Sequence, residues 1–286
     1  MKIGCVILNY NDAAHVASLV EQIRDYRVPD AIVLVDNCST DDSWDALQAL
    51  AGGKIHACRT ERNGGYGAGN NFGVRYAKEV CGCDLVLIAN PDVQFSEALV
   101  ERLAQVLAEN ERYAVASAMQ CDGKGQRITR SAWRIPTPWR YIFCTGSLLR
   151  KWGENFYYSM EELGAKDTVA VDCVAGSLLM VRSKVFLDVG GYDEEMFLYC
   201  EETTLGCKLK QAGYTGVICS DMEYLHLHGV TISKSISSAV RRKKILLASH
   251  HLFLKRYLQA TPLQLAADRV VGWVVLLEEA LKTLLK

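Results

Sequence analysis

Over the first 120 residues, two spacings of apolar positions take turns. Residues 2–10 (KIGCVILNY) are apolar almost without interruption, the pattern of a strand buried on both faces. Residues 13–26 then set Val16, Leu19, Val20 and Ile23 at helical spacing. The alternation repeats. Residues 31–37 (AIVLVDN) predict a strand, and Ser39 or Thr40 is expected to cap a helix beginning near Asp41. Residues 54–60 predict a third strand, followed by a Gly-rich loop and a helix near 67–80. Strand 84–90, helix 96–110 and strand 113–120 complete the series. Strands that alternate with helices and are apolar on both faces predict an α/β fold with a mainly parallel central sheet covered on both sides.

The rhythm breaks after residue 120. Residues 121–170 hold Gly, Pro, Trp and Tyr without a period, as an insertion or lid-like region would. Regular patterns return as a strand at 171–181, a helix over 201–213 ending at a C′ glycine, Gly213, and a strand at 214–220. From about residue 235 the chain reads as helix. The expected organisation is a first half over 1–120, a second half of the same domain over 121–234, and a helical C-terminal arm over 235–286.

Composition narrows the partners. Half of the 286 residues are hydrophobic and 23% are charged, ordinary for a globular protein. A formal net charge of −1 excludes a global basic field for gripping nucleic acid. The 11 cysteines include no CxxC pair, and MKIGCVILNY has no secretory pattern, so buried, reduced thiols and a cytoplasmic location are expected. The most apolar stretch, VVGWVVLL at 270–277, is too short to span a bilayer and runs into Glu278 and Glu279.

Candidate chemistry gathers where strands end. Asn9-Tyr10-Asn11, Asp36-Asn37, the loop from Asn63 to Gly73 and Asn90-Pro91-Asp92 each follow a predicted strand. Any one of them can be turn chemistry, but on successive strands of a parallel sheet they would converge on one crevice. The loop NGGYGAGNNFG lacks the G-x-G-x-x-G spacing, and no phosphate-binding P-loop motif occurs. Asp92 can equally serve as an N-cap or Asx turn for the 96–110 helix, and Glu201-Glu202 as acidic residues at a helix start. His226 and His228 alternate with leucine, as one face of a strand would. Trp133, Trp139 and Tyr141 suit either sugar stacking or a core.

Taken in order, VILNYN, VDNCSTDDS, NGGYGAGNNFG, LIANPDV, the run from DCVAGSLLMV to EETTLGCKLKQAGY, and HLHGVT resemble the family 2 glycosyltransferases. The resemblance is to the bacterial rhamnosyltransferase-like branch that builds surface polysaccharides, and covers residues 3 to about 232. It implies a GT-A fold, a nucleotide-diphospho-sugar donor (dTDP- or UDP-sugar, with rhamnose a candidate), a divalent metal (Mg²⁺ or Mn²⁺) and inversion at the anomeric carbon. The acceptor would be a glycan or a lipid-linked molecule.

The resemblance also implies roles. Asn9, Tyr10, Asn11, Asp36 and Asn37 would hold base and ribose, and Gly65, Gly67 and Asn70 would lie along the nucleotide. Asn90-Pro91-Asp92 replaces the family's D-x-D motif, which leaves Asp92 as the metal ligand. Glu201-Glu202 stands where the family has Glu-Asp, so the catalytic base would be Glu202, with Glu201 the alternative. His226, or less favourably His228, would approach the metal, while Asp172 and Gly176 match the acceptor side. Competing readings are a nucleotidyltransferase, which would need a basic Gly-rich loop after the first strand, and a non-catalytic nucleotide-sugar binder. The basic, apolar-interleaved stretch 240–257 suits either a membrane surface or packing on the domain, and the last helix, 263–286, either packing or a dimer contact.

Overall fold

The structure, a computed structural model, describes residues 1–146, 156–227 and 238–284. The expected alternation is present from the start: β1 (Ile3–Asn9), α1 (Ala13–Ile23), β2 (Ala31–Asp36), α2 (Ser43–Leu50), β3 (Ile55–Arg59), α3 (Gly65–Glu79) and β4 (Leu85–Ala89). A short β5 (Val93–Gln94), α4 (Glu97–Glu109) and β6 (Tyr113–Cys121) follow. β1 pairs in parallel with β2 and β4, and β2 with β3, so these strands end at one edge.

Side chains of β1 part by parity, as a strand requires. Ile3, Cys5 and Ile7 join α1 and α4 on one face, while Val6 packs with Val74 and Ala77 of α3 on the other. The latter contact is very close. A Cβ at Gly73 would lie 2.5 Å from Val6, and one at Gly69 would lie 2.5 Å from Leu8. Glycine on α3 therefore lets that helix sit directly on the sheet.

The second half is more broken than its pattern predicts. The run 171–181 is not one strand but the end of β8 (Thr168–Val171), then β9 (Cys173–Val174) and β10 (Leu178–Arg182), with a turn at 175–177 between the last two. β10 inserts antiparallel between β4 and β6. The strand predicted at 214–220 continues as β11 (Thr215–His226), parallel to β6 and antiparallel to β5 and β8. Among the described residues nine strands thus form one mixed sheet. The irregular region contributes a 3₁₀ turn (Thr129–Ser131), β7 (Ala132–Trp133) pairing with β9, α5 (Pro138–Phe143) and α6 (Met160–Leu163).

Among the described residues four further helices follow: α7 (Ser183–Asp188), α8 (Glu201–Gln211) and, at the C-terminus, α9 (Ala239–Arg256) and α10 (Pro262–Leu284). α8 ends as expected, with Gly213 at φ +84°. The expected cap of α2 fails: Asp42 occupies the N-cap without a side-chain bond, because Ser39 and Thr40 are bonded to Asn9 and Asn11 instead. α9 turns its apolar side inward. Phe253 and Leu254 pack with Tyr141, Ile142 and Met196 in a third core cluster, while Ile245, Leu246, Leu247 and Leu252 are half-buried.

Candidate active site

The crevice begins as a frame of strand ends. Asn9 is fully buried, and its amide donates to Asp36 Oδ1 at 3.1 Å and Ser39 Oγ at 3.0 Å. The other Asp36 oxygen accepts from the Ser39 N–H and pairs with Arg59 Nε at 3.0 Å. Asn11, in the left-handed region at φ 54°, exchanges bonds with Thr40. Asn37 bridges to Asn63 and to the Gly65 carbonyl. Asn9, Asn11, Asp36 and Asn37 are thus joined at one edge, while Tyr10 stands beside them half-buried. Both Asp36 oxygens are occupied inside the frame, so this residue braces the crevice from within.

The Gly-rich segment is helical from Gly65 onward, and its glycines meet protein. A Cβ at Gly65 would lie 2.0 Å from the Phe197 carbonyl, and one at Gly67 would lie 3.0 Å from Tyr192 Cβ. Asn70 is buried and donates to the Tyr66 carbonyl. These positions carry glycine because the 192–201 segment lies on them.

Asp92 sits just past β4. It is 5% exposed, and Ser96, not Asp92, caps α4 by accepting from the Leu99 N–H at 3.2 Å. Pairing of β5 with the end of β11 sets His226 opposite Val93. His226 Nε2 then lies 3.2 Å from Asp92 Oδ1, within ion-pair reach. That oxygen is buried and has no aligned hydrogen bond among the described residues. Burial alone would raise the Asp92 carboxyl, but the neighbouring imidazole more than offsets it, and the group is held below its usual range. His226 Nδ1 lies 2.9 Å from the Gln120 amide nitrogen, Tyr224 OH is 3.4 Å from Gln120 Oε1, and Tyr224 meets Ser177 at 2.8 Å. His228 falls outside the described residues.

The acidic pair opens α8. Glu202 Oε1 accepts from the Gly176 N–H at 3.1 Å. Tyr66 OH reaches the Gly176 carbonyl at 2.7 Å and Asn90 Oδ1 at 3.1 Å, and the Asn90 N–H donates to the Ser177 carbonyl at 2.8 Å. The turn at 175–177 therefore ties Glu202 to the strand end that leads to Asp92. A direct chain of contacts also runs from Asp92 through His226, Gln120 and Tyr224 to Ser177.

Glu201 points elsewhere, 3.8 Å from the Cβ position of Gly67, and is 4% exposed with an unpartnered Oε1 among the described residues. Burial, reinforced by the charge of Glu202, raises its carboxyl to about 8. Burial also raises Glu202. A helix start favours the charged form of an acid, so desolvation wins here over the helix dipole. Both carboxyls of the pair are therefore held above the ordinary range by burial.

Asp172 lies against the middle of the same helix, where a Cβ at Gly206 would meet its carbonyl at 2.6 Å; its side chain pairs with Lys210 at 2.9 Å and accepts from the Ile135 N–H. It is a brace between α8 and the 121–170 region. Gly176, by contrast, is in contact with Glu202. Tyr141 is core, stacked on His250 at 4.0 Å, and Trp133 donates to Thr203. Sequence reasoning missed Gln120 and Tyr66. Gln120 ends an apolar strand just as Asn9 and Asn90 do, and that signal was present; Tyr66 is an aromatic among glycines and carried none.

A stability consequence follows from Glu201. Its folded-state pKa lies above the ordinary value, so the fold binds its proton more tightly than the unfolded chain. Stability is full below pH 4.5 and is lost as pH rises toward 8. Glu201→Gln is expected to flatten that slope, by at least the roughly 1.4 kcal/mol that one pKa unit represents. Urea melts of both proteins at pH 5 and pH 8 would measure it; parallel losses in the two would contradict the reading.

A family model described as glycosyl transferase family 2 matches residues 5–186. The N-acetylglucosaminyl-diphospho-decaprenol L-rhamnosyltransferase of Mycobacterium tuberculosis (strain CDC 1551 / Oshkosh) is 28% identical over 265 residues, covering 86% of this chain and 77% of its own. The low-salt glycan biosynthesis hexosyltransferase Agl10 of Haloferax volcanii is 26% identical over 278 residues, covering 96% and 83%. Among solved structures, a mannosyltransferase from Pyrobaculum calidifontis in complex with GDP-Man and Mn²⁺ superposes with a TM-score of 0.60 at 16% identity, over 98% of this chain and 73% of that one.

Proposed function

The chain belongs to glycosyl transferase family 2, has the GT-A fold and is a rhamnosyltransferase-like glycosyltransferase; on that footing we propose that it inverts a nucleotide-diphospho-sugar, a dTDP- or UDP-sugar with rhamnose as candidate, onto a hydroxyl of a glycan or lipid-linked acceptor. The reaction would take place on the cytoplasmic side of a membrane, in surface polysaccharide synthesis. The names of its relatives, which act on a diphospho-decaprenol acceptor and in glycan biosynthesis, support this choice. The observation that supports it is the chain of contacts running from buried Asp92 through His226, Gln120 and Tyr224 to the 175–177 turn, whose Gly176 N–H holds Glu202 on a separate helix.

Asp92 and His226 fit a divalent cation. Asp92 Oδ1 is a hard, buried, charged donor whose close neighbour is His226 Nε2 at 3.2 Å, so the two could share a cation, and imidazole suits Mn²⁺ better than Mg²⁺. Among the described residues no group of three or more such side chains is assembled, consistent with a donor diphosphate supplying the remaining oxygens. Bound there, Mg²⁺ or Mn²⁺ would act as a Lewis acid toward the leaving nucleoside diphosphate.

The chain's own residues do the rest. Glu202 takes the proton of the acceptor hydroxyl as that oxygen bonds to the anomeric carbon from the face opposite the diphosphate. The carbon–oxygen bond to the diphosphate breaks, and the departing group keeps its electron pair. The Gly176 N–H orients the base. Asn9, Asn11 and Asn37 brace the edge that receives the base and ribose, with Tyr10, Gly65, Gly67 and Asn70 around it.

Gly176→Ala tests the positioning. Its Cβ would lie 2.4 Å from Glu202 Oε1, so the carboxylate must swing away, while the backbone needs no positive φ. A loss of roughly tenfold to a hundredfold in kcat/KM with an unchanged melting temperature is expected. Unchanged activity would remove the Gly176–Glu202 contact from the account. The function as a whole is tested by transfer and donor-hydrolysis assays across a panel of nucleotide-diphospho-sugars with Mn²⁺. Turnover of at least one of them is expected, and inertness toward all, with no thermal stabilisation by any, would overturn it.

A further inference from the structure

α10 is amphipathic in the inverted sense. It turns Asp268, Gly272 and Val275 toward the protein, with Asp268 and Val275 each 4% exposed. On the opposite side it presents Leu263, Val270, Trp273, Val274, Leu277 and Leu281, between 44% and 71% exposed. At helical spacing these six fall within an arc of about 100°. Scattered exposed apolar residues need no explanation, but a continuous stripe of this kind marks an interaction surface. A cavity of about 670 Å³ opens beside it, walled by Phe197, Leu252, Trp273 and Leu276 and edged by Lys255 and Arg269. The Phe197 carbonyl accepts the Tyr66 N–H at 3.1 Å, so the apolar surface reaches the rim of the crevice.

Charge decides among the possible occupants. Residues 238–284 carry eight Lys and Arg against three Asp and Glu, in a chain whose net charge is −1. Arg241, Lys244, Lys255, Arg256 and Arg269 are exposed. A second copy docking by the same face would bring two basic surfaces together, which is unfavourable. An anionic bilayer complements both features, since it takes an apolar stripe at acyl depth and attracts the flanking cations. Trp273 suits the headgroup boundary. No helix among the described residues is long and apolar enough to cross a membrane, so α10 would lie in the interface.

The geometry points to the exposed face of α10, flanked by the basic residues of α9, as the surface by which this chain docks on an anionic phospholipid bilayer. The inference deepens the reading of a lipid-linked acceptor. It also moves the apolar part of the membrane contact expected over 240–257 from α9, whose Phe253 and Leu254 are buried, to the more exposed stripe of α10. The test is flotation of the full chain with phosphatidylcholine vesicles, with and without phosphatidylglycerol, at low and high salt. Donor, metal and turnover play no part in it, so its failure is separate from failure of the transferase reading.

Binding to the phosphatidylglycerol vesicles alone, weakened by salt, is expected. The double substitution Trp273→Ser with Leu277→Ser should lower the partition coefficient at least tenfold. Val80→Ser, an exposed apolar site 62% accessible outside the C-terminal arm, should leave it unchanged. All three sites are exposed, and a circular-dichroism melt would verify folding. Absence of vesicle binding, binding undiminished by the double substitution, or a dimer in light scattering that the double substitution dissolves would each overturn the proposal.

Discussion

Asp92→Asn is expected to lower kcat/KM for the donor by about 10²- to 10³-fold and to abolish measurable Mn²⁺ binding. The reason is the state of one oxygen. Asp92 Oδ1 is buried, lies 3.2 Å from His226 and has no aligned hydrogen bond among the described residues. A buried carboxylate backed by one imidazole gains further stabilisation from a cation. Asparagine keeps the shape and removes the charge, so a change in Mn²⁺ affinity isolates electrostatics from packing. The rate loss corresponds to about 2.7–4 kcal/mol of transition-state stabilisation, within the several kcal/mol ascribed to Lewis-acid metal catalysis. Titration by electron paramagnetic resonance reads the affinity directly. Wild-type affinity in the variant would detach Asp92 from the metal.

The second large effect is expected at Glu202. Glu202→Gln removes the proposed base while preserving the amide-compatible contact to Gly176, and should cost roughly 10²- to 10⁴-fold in kcat with little change in donor binding. The pH profile carries the sharper information. A base must be ionised to act, so the wild-type rate falls as pH drops through the Glu202 pKa. Burial raises that pKa from 4.5, so the acid limb should lie above the ordinary carboxylate range and vanish from the residual activity of the glutamine variant. An acid limb retained in Glu202→Gln would assign the base elsewhere, with Glu201 the neighbour to test next. Glu201 itself is buried beside the Gly67 position, and burial raises its carboxyl to about 8.

Much of the fold was legible because the first half obeys simple rules. Strands apolar on both faces, with helices between them, leave few alternatives to a covered parallel sheet, and β1, β2 and β4 end together as that reading required. The second half resists sequence reasoning for a physical reason: its breaks are imposed by contacts distant in the chain. The run 171–181 reads as one strand, yet it stops at 175–177 because Gly176 must meet Glu202 and Ser177 must meet Tyr224. Likewise β11 outruns its apolar stretch to His226 because β5, next to Asp92, pairs with its end.

The candidate site shows the same division. Strand-end polar residues could be found by position alone, and Asn9, Asp36 and Asn90 lie at one edge. What position could not separate was bracing from function: Asp36 is consumed by Asn9, Ser39 and Arg59, and Asp172 by Lys210 and Ile135. Glycines 65 and 67, expected along the nucleotide, also pack closely on Phe197 and Tyr192. Local sequence does not encode which partner fills a gap.

A crystal structure with Mn²⁺ and UDP or dTDP, with the metal located by its anomalous signal, tests the central claim most directly. The account predicts manganese bonded to the Asp92 carboxylate and to the diphosphate, with the Glu202 carboxylate facing the same pocket from the opposite wall. Manganese and nucleotide bound at a place that neither Asp92 nor Glu202 borders would contradict it.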